Sequence, residues 1–459
     1  MSASRIASWG ARTLFQLQEH IKGHDSPQLR RQLEQSQWWT PAMIAELRLL
    51  RLRALLLHAQ EHVPYYRQLL SGCGFNARAI HDLRDLRCLP VLRKRDINGQ
   101  PERFLSKLAG PMQRLTTGGS SGESLAFYLG RQRISHDVAA KWRATRWWGV
   151  DIGDREAVVW GSPIELRAQD RWRALRDRLL RTTLLPAFDL SPQRMDQYVE
   201  TLSRERPAML FGYPSALSRI AAHARARGAR LDKLGIRAAF ATAERLYDHQ
   251  RSLMQEVFGC PVANGYGGRD AGFIAHECPA GGMHISAEDI IVEILDPSGG
   301  PVAAGQSGEI VVTHLATREF PFIRYGTGDI GTLETRTCSC GRGLPLLAQV
   351  DGRSTDFVVA QNGTVMHGLA LIYILREQPN VNAFKIIQQS IHRTDIFIVR
   401  DSGFGETQRA AITAGFKARL GRDVEIVIQE VEKIDPEQSG KHRYVVSQVA
   451  QGNQPCYPI

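Results

Sequence analysis

Helical stretches alternate with short apolar runs from about residue 126 to residue 290, and this alternation restricts the fold more than any other feature of the chain. The apolar runs include REAVVW (155–160), PAMLFGYPSAL (207–217) and IRAAFATAERL (236–246). A chain of this kind is predicted to form α/β layers, in which helices cover buried strands. From Asp289 the apolar period shortens toward two in DIIVEILDPSGGPV and GEIVVTH, which predicts a β-rich subdomain built from hairpins.

The two ends of the chain differ from this central part. Residues from about 26 to 86 repeat apolar side chains at three- and four-residue spacing, which predicts a helical lead-in over about residues 1–90. Residues from about 357 to 459 contain strand-like runs and one helical stretch, which predicts a small α+β domain. The predicted fold class is therefore α/β, with a large N-terminal domain of α/β layers plus a β-rich subdomain and a small α+β C-terminal domain.

Composition excludes several classes of protein. No apolar run in the 459 residues approaches the roughly 18 that a membrane span needs, and the N-terminus lacks the apolar core of a secretory signal, so we predict a cytoplasmic protein. The net charge of +11 comes mainly from arginines that alternate with acidic residues on helical faces, which does not favour nucleic acid. Residues 5–23 are predicted to form a helix that packs on its own domain; docking on a partner or a membrane surface is the alternative. Whether the chain is a homodimer stays open.

The stretch LTTGGSSGES, residues 115–124, has three glycines and five hydroxyl residues in ten positions. Glycine costs backbone entropy on folding, so such a composition needs a reason. One interpretation is a flexible linker. The other is a loop whose amide and hydroxyl groups surround a phosphate chain.

Five motifs decide between these interpretations. They occur in the order TTGGSSGES, FATAERL, GYGGRDAG, RYGTGDIG with VDGRSTDF, and SGKHR. This ordered set resembles the adenylate-forming superfamily, most closely the phenylacetate–CoA ligase family, in the branch often encoded with capsular or surface polysaccharide genes. The resemblance runs from about residue 50 to about residue 445. It implies an AMP-binding domain over residues 1–352 and a mobile domain over residues 353–459 that carries a catalytic lysine.

The implied reaction is attack of a carboxylate on the α-phosphorus of ATP, which gives acyl-AMP and pyrophosphate. Positioning and charge neutralisation do most of the catalytic work in such transfers. The implied nucleotide-binding residues contact the phosphates, the adenine or the ribose; they are Thr116, Thr117, Gly118, Gly119, Ser120, Ser121, Gly122, Ala243, Glu244, Tyr266, Gly267, Asp329 and Arg353.

The remaining catalytic residues follow from the same resemblance. Lys441 is the catalytic lysine that reaches the α-phosphate and the carboxylate. Asp270 is the Mg²⁺ ligand, at a position where the family commonly has glutamate, and Glu123 stands where the family loop usually has a lysine close by. Asp356 is the hinge candidate, beside Thr355 in place of a frequent second acid.

The cysteines suggest a metal site. Seven cysteines, an odd number without a secretory signal, argue against a disulfide framework. AHECPAGGMH and CSC together offer four Cys/His ligands from two short loops, which fits tetrahedral Zn²⁺ in a structural role. The preferred ligands are Cys278, His284, Cys338 and Cys340, with His276 as the substitute for His284; a pair of free thiols at CSC is the alternative.

The acid and the acceptor are less defined. Tyr213, Phe240, Trp147 and Trp148 are candidates for the acyl pocket, although aromatic residues in apolar stretches are also ordinary core. Coenzyme A is the expected acceptor of the acyl group from a small carboxylic acid, and a carrier-protein thiol or an amino-sugar amine is the alternative. A catalytically inactive nucleotide-binding scaffold and a nucleic-acid-binding protein with a zinc module are the two hypotheses outside this class.

Overall fold

The computed structural model describes residues 3–117, 125–160, 176–187, 190–303, 305–353, 357–435 and 443–449. The chain begins with four helices, as the apolar spacing of the lead-in predicts. They are α1 (Ala3–Ile21), α2 (Ser26–Ser36), α3 (Pro41–His62) and α4 (Pro64–Gly72). The sequence accounts for the start of α3 at Pro41. The Thr40 hydroxyl caps the helix by accepting a hydrogen bond from the Met43 amide, and Pro41 occupies the first turn.

Helix α1 packs on the large domain through one face. Phe15 is buried and meets the Trp142 ring edge to face, with 6.3 Å between the ring centroids. Trp9 and Ile21 lie on the opposite face and are exposed. The helix therefore packs on its own domain, as its sequence predicts. Among the residues that the structure describes, no helix is both long and apolar enough to cross a membrane.

The large domain is built on an eleven-stranded mixed sheet. Two strands, β1 (Met112–Thr116) and β2 (Ala126–Gly130), form a separate antiparallel hairpin ahead of it. The eleven strands are β3 (Glu156–Trp160), β4 (Thr182–Pro186), β5 (Met209–Gly212), β6 (Ala238–Thr242), β7 (Val262–Gly268), β8 (Gly272–Glu277), β9 (Met283–Ile285), β10 (Ile290–Leu295), β11 (Ser307–His314), β12 (Tyr325–Glu334) and β13 (Leu346–Arg353).

The order of the strands divides this sheet into two halves. The order is β10-β11-β12-β13-β9-β8-β7-β6-β5-β3-β4. From β4 to β7 neighbouring strands are parallel, whereas from β7 to β10 they are antiparallel. The parallel half contains the apolar runs that alternate with helices, and the antiparallel half contains the period-two stretches that follow Asp289. The predicted fold class is confirmed.

Helices cover the parallel half as expected for α/β layers. Helices α5 (Lys94–Asn98), α6 (Arg131–Trp147), α7 (Pro192–Glu205), α8 (Pro214–Ala226) and α9 (Asp248–Phe258) complete the large domain. One face of the parallel strands packs into a core with α7, α8 and α9, in which Leu210 and Ile220 are fully buried. The burial of such side chains stabilises the domain by about 2 kcal/mol each.

The small domain has its own core. It contains the hairpin of β14 (Phe357–Val359) and β15 (Val365–His367), the helices α10 (Leu369–Arg376) and α11 (Glu406–Leu420), and the strands β16 (Val381–Ser390), β17 (Arg393–Arg400), β18 (Glu425–Glu430) and β19 (Val445–Ser447). The last four strands form a sheet in the order β18-β17-β16-β19. Ile386, Ile396 and Phe416 are fully buried between this sheet and the helices, which gives an α+β domain.

Candidate active site

The carboxyl ends of the parallel strands bring together several of the predicted residues. In an open parallel sheet, ligands bind at this edge, because the loops that leave the strands meet there. Trp160 ends β3 and stacks on Tyr213, which follows β5, with ring centroids 4.3 Å apart. Ala243 and Glu244 follow β6, and Gly268 ends β7. This edge is therefore the place where a ligand of the large domain is expected.

The TAERL segment after β6 has an unusual backbone. Ala243 has a φ of +70°, a left-handed conformation that costs a residue with a side chain about 1 kcal/mol or more. The next side chain, Glu244, accepts a hydrogen bond from the Ser215 amide at the start of α8, at 3.1 Å. A carboxylate is favoured there because a helix N-terminus carries partial positive charge. The strained turn is thus held in place by α8.

Tyr266 and Asp329, which come from two separate motifs, meet directly. The Tyr266 hydroxyl donates to Asp329 Oδ2 at 2.8 Å and lies 3.4 Å from Thr327 Oγ1. Burial, followed by the negative charge of Asp329, raises the pKa of Tyr266 well above its ordinary value, so this hydroxyl stays protonated and donates. The GYGG and YGTGD motifs therefore form one site.

Gly328 shapes the backbone beside this contact. Its φ of +76° lies in the left-handed region, which a glycine adopts without strain. The Asp329 amide then points back to Thr327 Oγ1, to which it donates at 3.1 Å, and the Thr327 hydroxyl itself donates to the Ile310 carbonyl at 2.9 Å. The carboxylate of Asp329 is consequently fixed by its own neighbours on β12.

Asp270 is held by three groups. The Tyr325 hydroxyl donates to Asp270 Oδ2 at 2.6 Å, and the Ala271 amide donates to Oδ1 at 3.1 Å. Behind the turn, the buried guanidinium of Arg133 donates to the Asp270 carbonyl oxygen at 3.3 Å and pairs with Asp137 at 3.0 Å. Two hydrogen bonds leave further lone pairs on the carboxylate, so Asp270 retains capacity to bind a cation.

These contacts require the sheet to fold back on itself. Tyr266 lies on β7 and Asp329 on β12, and three strands, β8, β9 and β13, separate them in the sheet order. The hydroxyl of Tyr325 on β12 likewise reaches Asp270 in the turn between β7 and β8. The antiparallel half therefore wraps over the end of β7 and encloses one side of the site.

The Gly-rich stretch connects the two strands of the first hairpin. Thr116 pairs with Ala126, the Thr117 amide donates to the Leu125 carbonyl at 2.9 Å, and the Leu125 amide donates to Thr117 Oγ1 at 2.8 Å. A linker between domains does not need paired ends, so this geometry favours the loop interpretation. Gly118, Gly119, Ser120, Ser121 and Gly122 lie outside the described residues.

Of four other predicted residues, two are placed by the register of their strands and two are not described. Arg353 ends β13, and its Cα pairs with that of Asp329 across the ladder between β12 and β13. Gly267 on β7 pairs with Phe273 on β8, directly after Tyr266. Lys441 and Asp356 lie outside the residues that the structure describes.

The four preferred zinc ligands form one cluster. One ligand atom from each of Cys278, His284, Cys338 and Cys340 lies within 4.8 Å of the others. Cys278 Sγ and Cys338 Sγ are 3.7 Å apart, too far for a disulfide and close to the ~3.8 Å that two thiolates adopt around tetrahedral zinc. His284 Nε2 lies 3.2 Å from Cys340 Sγ.

The surroundings of the cluster also fit a metal site. His284 Nδ1 lies 3.4 Å from the Leu344 carbonyl oxygen, the arrangement that turns the other ring nitrogen of a ligating histidine toward a metal. Gly282 is needed in the turn after Cys278, because a Cβ there would lie 2.6 Å from Cys338 Sγ. The chemistry and spacing of these donors therefore fit Zn²⁺.

Other candidates lie elsewhere. His276, the substitute ligand, is not part of the cluster: its ring stacks on Phe273 at 5.2 Å. Trp147 lies against His284, with ring centroids 5.5 Å apart, and its role in an acyl pocket stays a prediction. Phe240 packs edge to face on Trp148 at 6.5 Å, in a core cluster separate from that of Tyr213.

Sequence reasoning missed four residues at the site. Tyr325 and Thr327 stand inside RYGTGDIG, so their place beside Asp329 in the motif could have identified them. Trp160 ends an apolar run, which marks the carboxyl end of a predicted strand. Arg133 has no such signal, because it stands in a helical segment with many other arginines.

Comparison with family models supports the motif assignment. Residues 180–316 match the AMP-binding enzyme family, and residues 358–448 match the CapK C-terminal domain. Among curated proteins, the chain is 22% identical over 417 residues to protein CapK of Staphylococcus aureus, which covers 88% of this chain and 89% of CapK. It is 25% identical over 328 residues to phenylacetate-coenzyme A ligase of Thermus thermophilus, covering 69% of this chain and 71% of the ligase.

Solved structures show the same fold. 2-Hydroxyisobutyryl-CoA ligase in the postadenylation state, in complex with 2-HIB-AMP, superimposes with a TM-score of 0.70 at 22% identity, over 89% of this chain and 90% of that chain. The same ligase in the thioesterification state gives a TM-score of 0.58 at 20% identity. The ordered motifs, their meeting at one site and these matches agree. The chain is therefore an AMP-forming acid ligase-like enzyme of the adenylate-forming, AMP-binding kind, similar to CapK and to the phenylacetate-coenzyme A ligases.

Proposed function

We propose that this enzyme activates a small carboxylic acid with ATP, releases pyrophosphate, and transfers the acyl group from acyl-AMP to coenzyme A. The observation that carries the proposal is the contact between Tyr266 and Asp329, which joins two nucleotide-binding motifs at the carboxyl edge of the parallel strands. The curated relatives include several phenylacetate-coenzyme A ligases, which supports a CoA acceptor.

The nucleotide would be bound by groups from both halves of the sheet. Asp329 would accept hydrogen bonds from the ribose hydroxyls, with Arg353 over the ribose and the phosphate. Tyr266, Gly267, Ala243 and Glu244 would line the adenine. The hydroxyls of Thr116, Thr117, Ser120 and Ser121, and the amides of Gly118, Gly119 and Gly122, would contact the β- and γ-phosphates.

Mg²⁺ would neutralise charge on the phosphates when bound. Asp270 is the residue that would hold it, because its carboxylate is fixed by Tyr325 and by the Ala271 amide. Arg133 would fix the backbone of the same turn through the Asp270 carbonyl. Mg²⁺ requires near-ideal octahedral geometry, so a carboxylate held in this way is suited to it.

The small domain would supply the last catalytic group. We place the domain boundary between residues 352 and 353, with Asp356 as the hinge. Lys441 would contact the α-phosphate and the attacking carboxylate, where its charge stabilises the transition state of adenylation. Rotation at the hinge would then withdraw the lysine and admit the acceptor to acyl-AMP.

Zn²⁺ would be structural. Cys278, His284, Cys338 and Cys340 provide four protein ligands, which leaves no open coordination position for a substrate. The metal would join the turn after β8 to the loop between β12 and β13.

The test of the function is acid-dependent ATP–pyrophosphate exchange with Mg²⁺ and a panel of aromatic and short-chain carboxylic acids. Exchange with one acid would establish acyl-AMP formation and identify the acid. Coenzyme A, a carrier protein and an amino sugar would then be compared as acceptors by mass spectrometry of the product. ATP binding without exchange for any acid would instead favour the scaffold hypothesis.

The Asp329→Asn substitution is expected to weaken ATP binding by about 10- to 100-fold, because hydrogen bonds to a charged acceptor contribute about 1.5–3 kcal/mol. Isothermal titration calorimetry of the purified protein with ATP measures this change. Glu334→Gln on the same strand is the control, since Glu334 pairs with Arg336 instead. Equal ATP affinities of the wild type and Asp329→Asn would contradict the proposed binding of the ribose by Asp329.

A further inference from the structure

Four side chains join the large domain to the small domain. Tyr247 precedes α9 and His249 lies in its first turn, whereas Arg376 ends α10 and Tyr444 precedes β19. The Arg376 guanidinium lies 4.8 Å from the ring centroid of Tyr247 and 5.2 Å from that of Tyr444. The two tyrosine rings meet edge to face at 6.0 Å. We call these four residues the interdomain cluster.

A hydrogen bond orients the arginine within the interdomain cluster. Arg376 Nη1 lies 3.2 Å from His249 Nδ1. Burial, and then the positive charge of Arg376, lower the pKa of His249 to about 4, so this ring nitrogen is neutral at pH 7 and accepts the hydrogen bond. Burial raises the pKa of Tyr444, which keeps its ring neutral as well. A cation over two neutral aromatic rings is attracted to both of them.

The interdomain cluster stands beside both functional segments. Tyr247 follows Glu244 by three residues in the chain, next to the adenine-lining segment. Tyr444 follows Lys441 by three residues, which limits the distance between their Cα atoms to about 11 Å. The Tyr444 carbonyl accepts a hydrogen bond from the Ile386 amide at 2.8 Å, so its position is fixed to the small-domain sheet. The cluster therefore joins the start of β19 in the small domain to the start of α9 in the large domain.

We propose that Arg376 is a positioning residue for acid activation, because it contacts Tyr247 and Tyr444 together and so fixes the small domain against the large domain next to Glu244. This inference rests on the proposed function. The proposed function requires the small domain to rotate before the acceptor reacts with acyl-AMP, so the contact belongs to the first half-reaction.

The test measures the two half-reactions separately in Arg376→Gln. Adenylation is followed by ATP–pyrophosphate exchange, and acyl transfer is followed from supplied acyl-AMP to coenzyme A. We expect kcat for exchange to fall about tenfold, as loss of a partly buried cation–π contact implies, with KM for ATP unchanged, because Arg376 is not one of the proposed nucleotide ligands. Acyl transfer should not fall. Arg376→Lys, which keeps the cation, should restore part of the exchange.

The control is Arg400→Gln, which removes an exposed arginine of the same domain that pairs with Glu430. Hydrogen–deuterium exchange of the peptide over residues 244–251 provides a readout without catalysis, and it should accelerate only in Arg376→Gln. Equal losses in both half-reactions, a similar loss in Arg400→Gln, or unchanged amide exchange would each overturn the proposal. Absence of pyrophosphate exchange in the wild type would mark failure of the proposed function itself, and the positioning role would fall with it.

Discussion

Replacing Lys441 by alanine is expected to lower acid-dependent ATP–pyrophosphate exchange by about 100- to 1,000-fold. The reason is that an ammonium which meets the developing charge on the α-phosphate and the carboxylate acts in the transition state, where loss of one such group typically costs this much. ATP binding, measured by calorimetry, should change by less than about tenfold, since the phosphate loop, the adenine segment and Asp329 remain.

Two comparisons make this result specific to Lys441. Lys433→Ala is the matched control, because Lys433 is an exposed lysine of the same domain that pairs with Asp435 at 2.9 Å. Acyl transfer from supplied acyl-AMP should persist in Lys441→Ala, since the lysine acts only in activation. A variant that exchanges pyrophosphate like the wild type would exclude Lys441 as the catalytic lysine.

The second large effect is expected from loss of the metal, which should lower the thermal stability of the enzyme. The purified enzyme should contain about one zinc per chain, measured by inductively coupled plasma mass spectrometry, and Cys338→Ser should lose it. Structural zinc binds zinc-finger peptides with about 10 kcal/mol or more. If a third of that energy supports the folded state here, the melting temperature should fall by roughly 3–5 °C.

The control for this change is Cys73→Ser, which removes an exposed free cysteine far from the cluster in sequence. It should retain the metal and melt like the wild type. Dialysis of the wild type against a strong chelator should reproduce the loss of stability, and added Zn²⁺ should reverse it. Full stability without bound metal would contradict a structural metal and leave the three cysteines and His284 as ordinary packed side chains.

Sequence patterns predicted the local elements of the fold better than their long-range pairing. The change of period at Asp289 predicted strands, and β10 and β11 begin there, because alternation reports directly on which face of a strand is buried. The pairing of β13 with β9, which sets Leu346 opposite His284, joins residues about sixty positions apart. No local pattern carries that information, since such pairing depends on how the whole sheet closes.

The same limit applies to the site. The motifs identified Tyr266, Asp270 and Asp329 one at a time, because each stands in a short stretch of characteristic composition. The hydroxyl of Tyr325 that holds Asp270, and the hydrogen bond from Tyr266 to Asp329, became visible only in three dimensions. Trp147 illustrates the same limit: its sequence context did not reveal that its ring meets His284.

The place of the Cys/His cluster in the sheet order has a consequence for nucleotide binding. Its ligands come from the turn after β8, from β9 and from the loop between β12 and β13. The strands β8, β9 and β13 are those that lie between β7 and β12 in the sheet. This half of the sheet curves so that Tyr266 meets Asp329. A metal at the cluster would hold these strands in their curved arrangement. Metal affinity and ATP affinity would then be thermodynamically coupled, and the coupling is reciprocal. A structural ion remote from the chemistry would thus contribute to how well the enzyme holds its nucleotide.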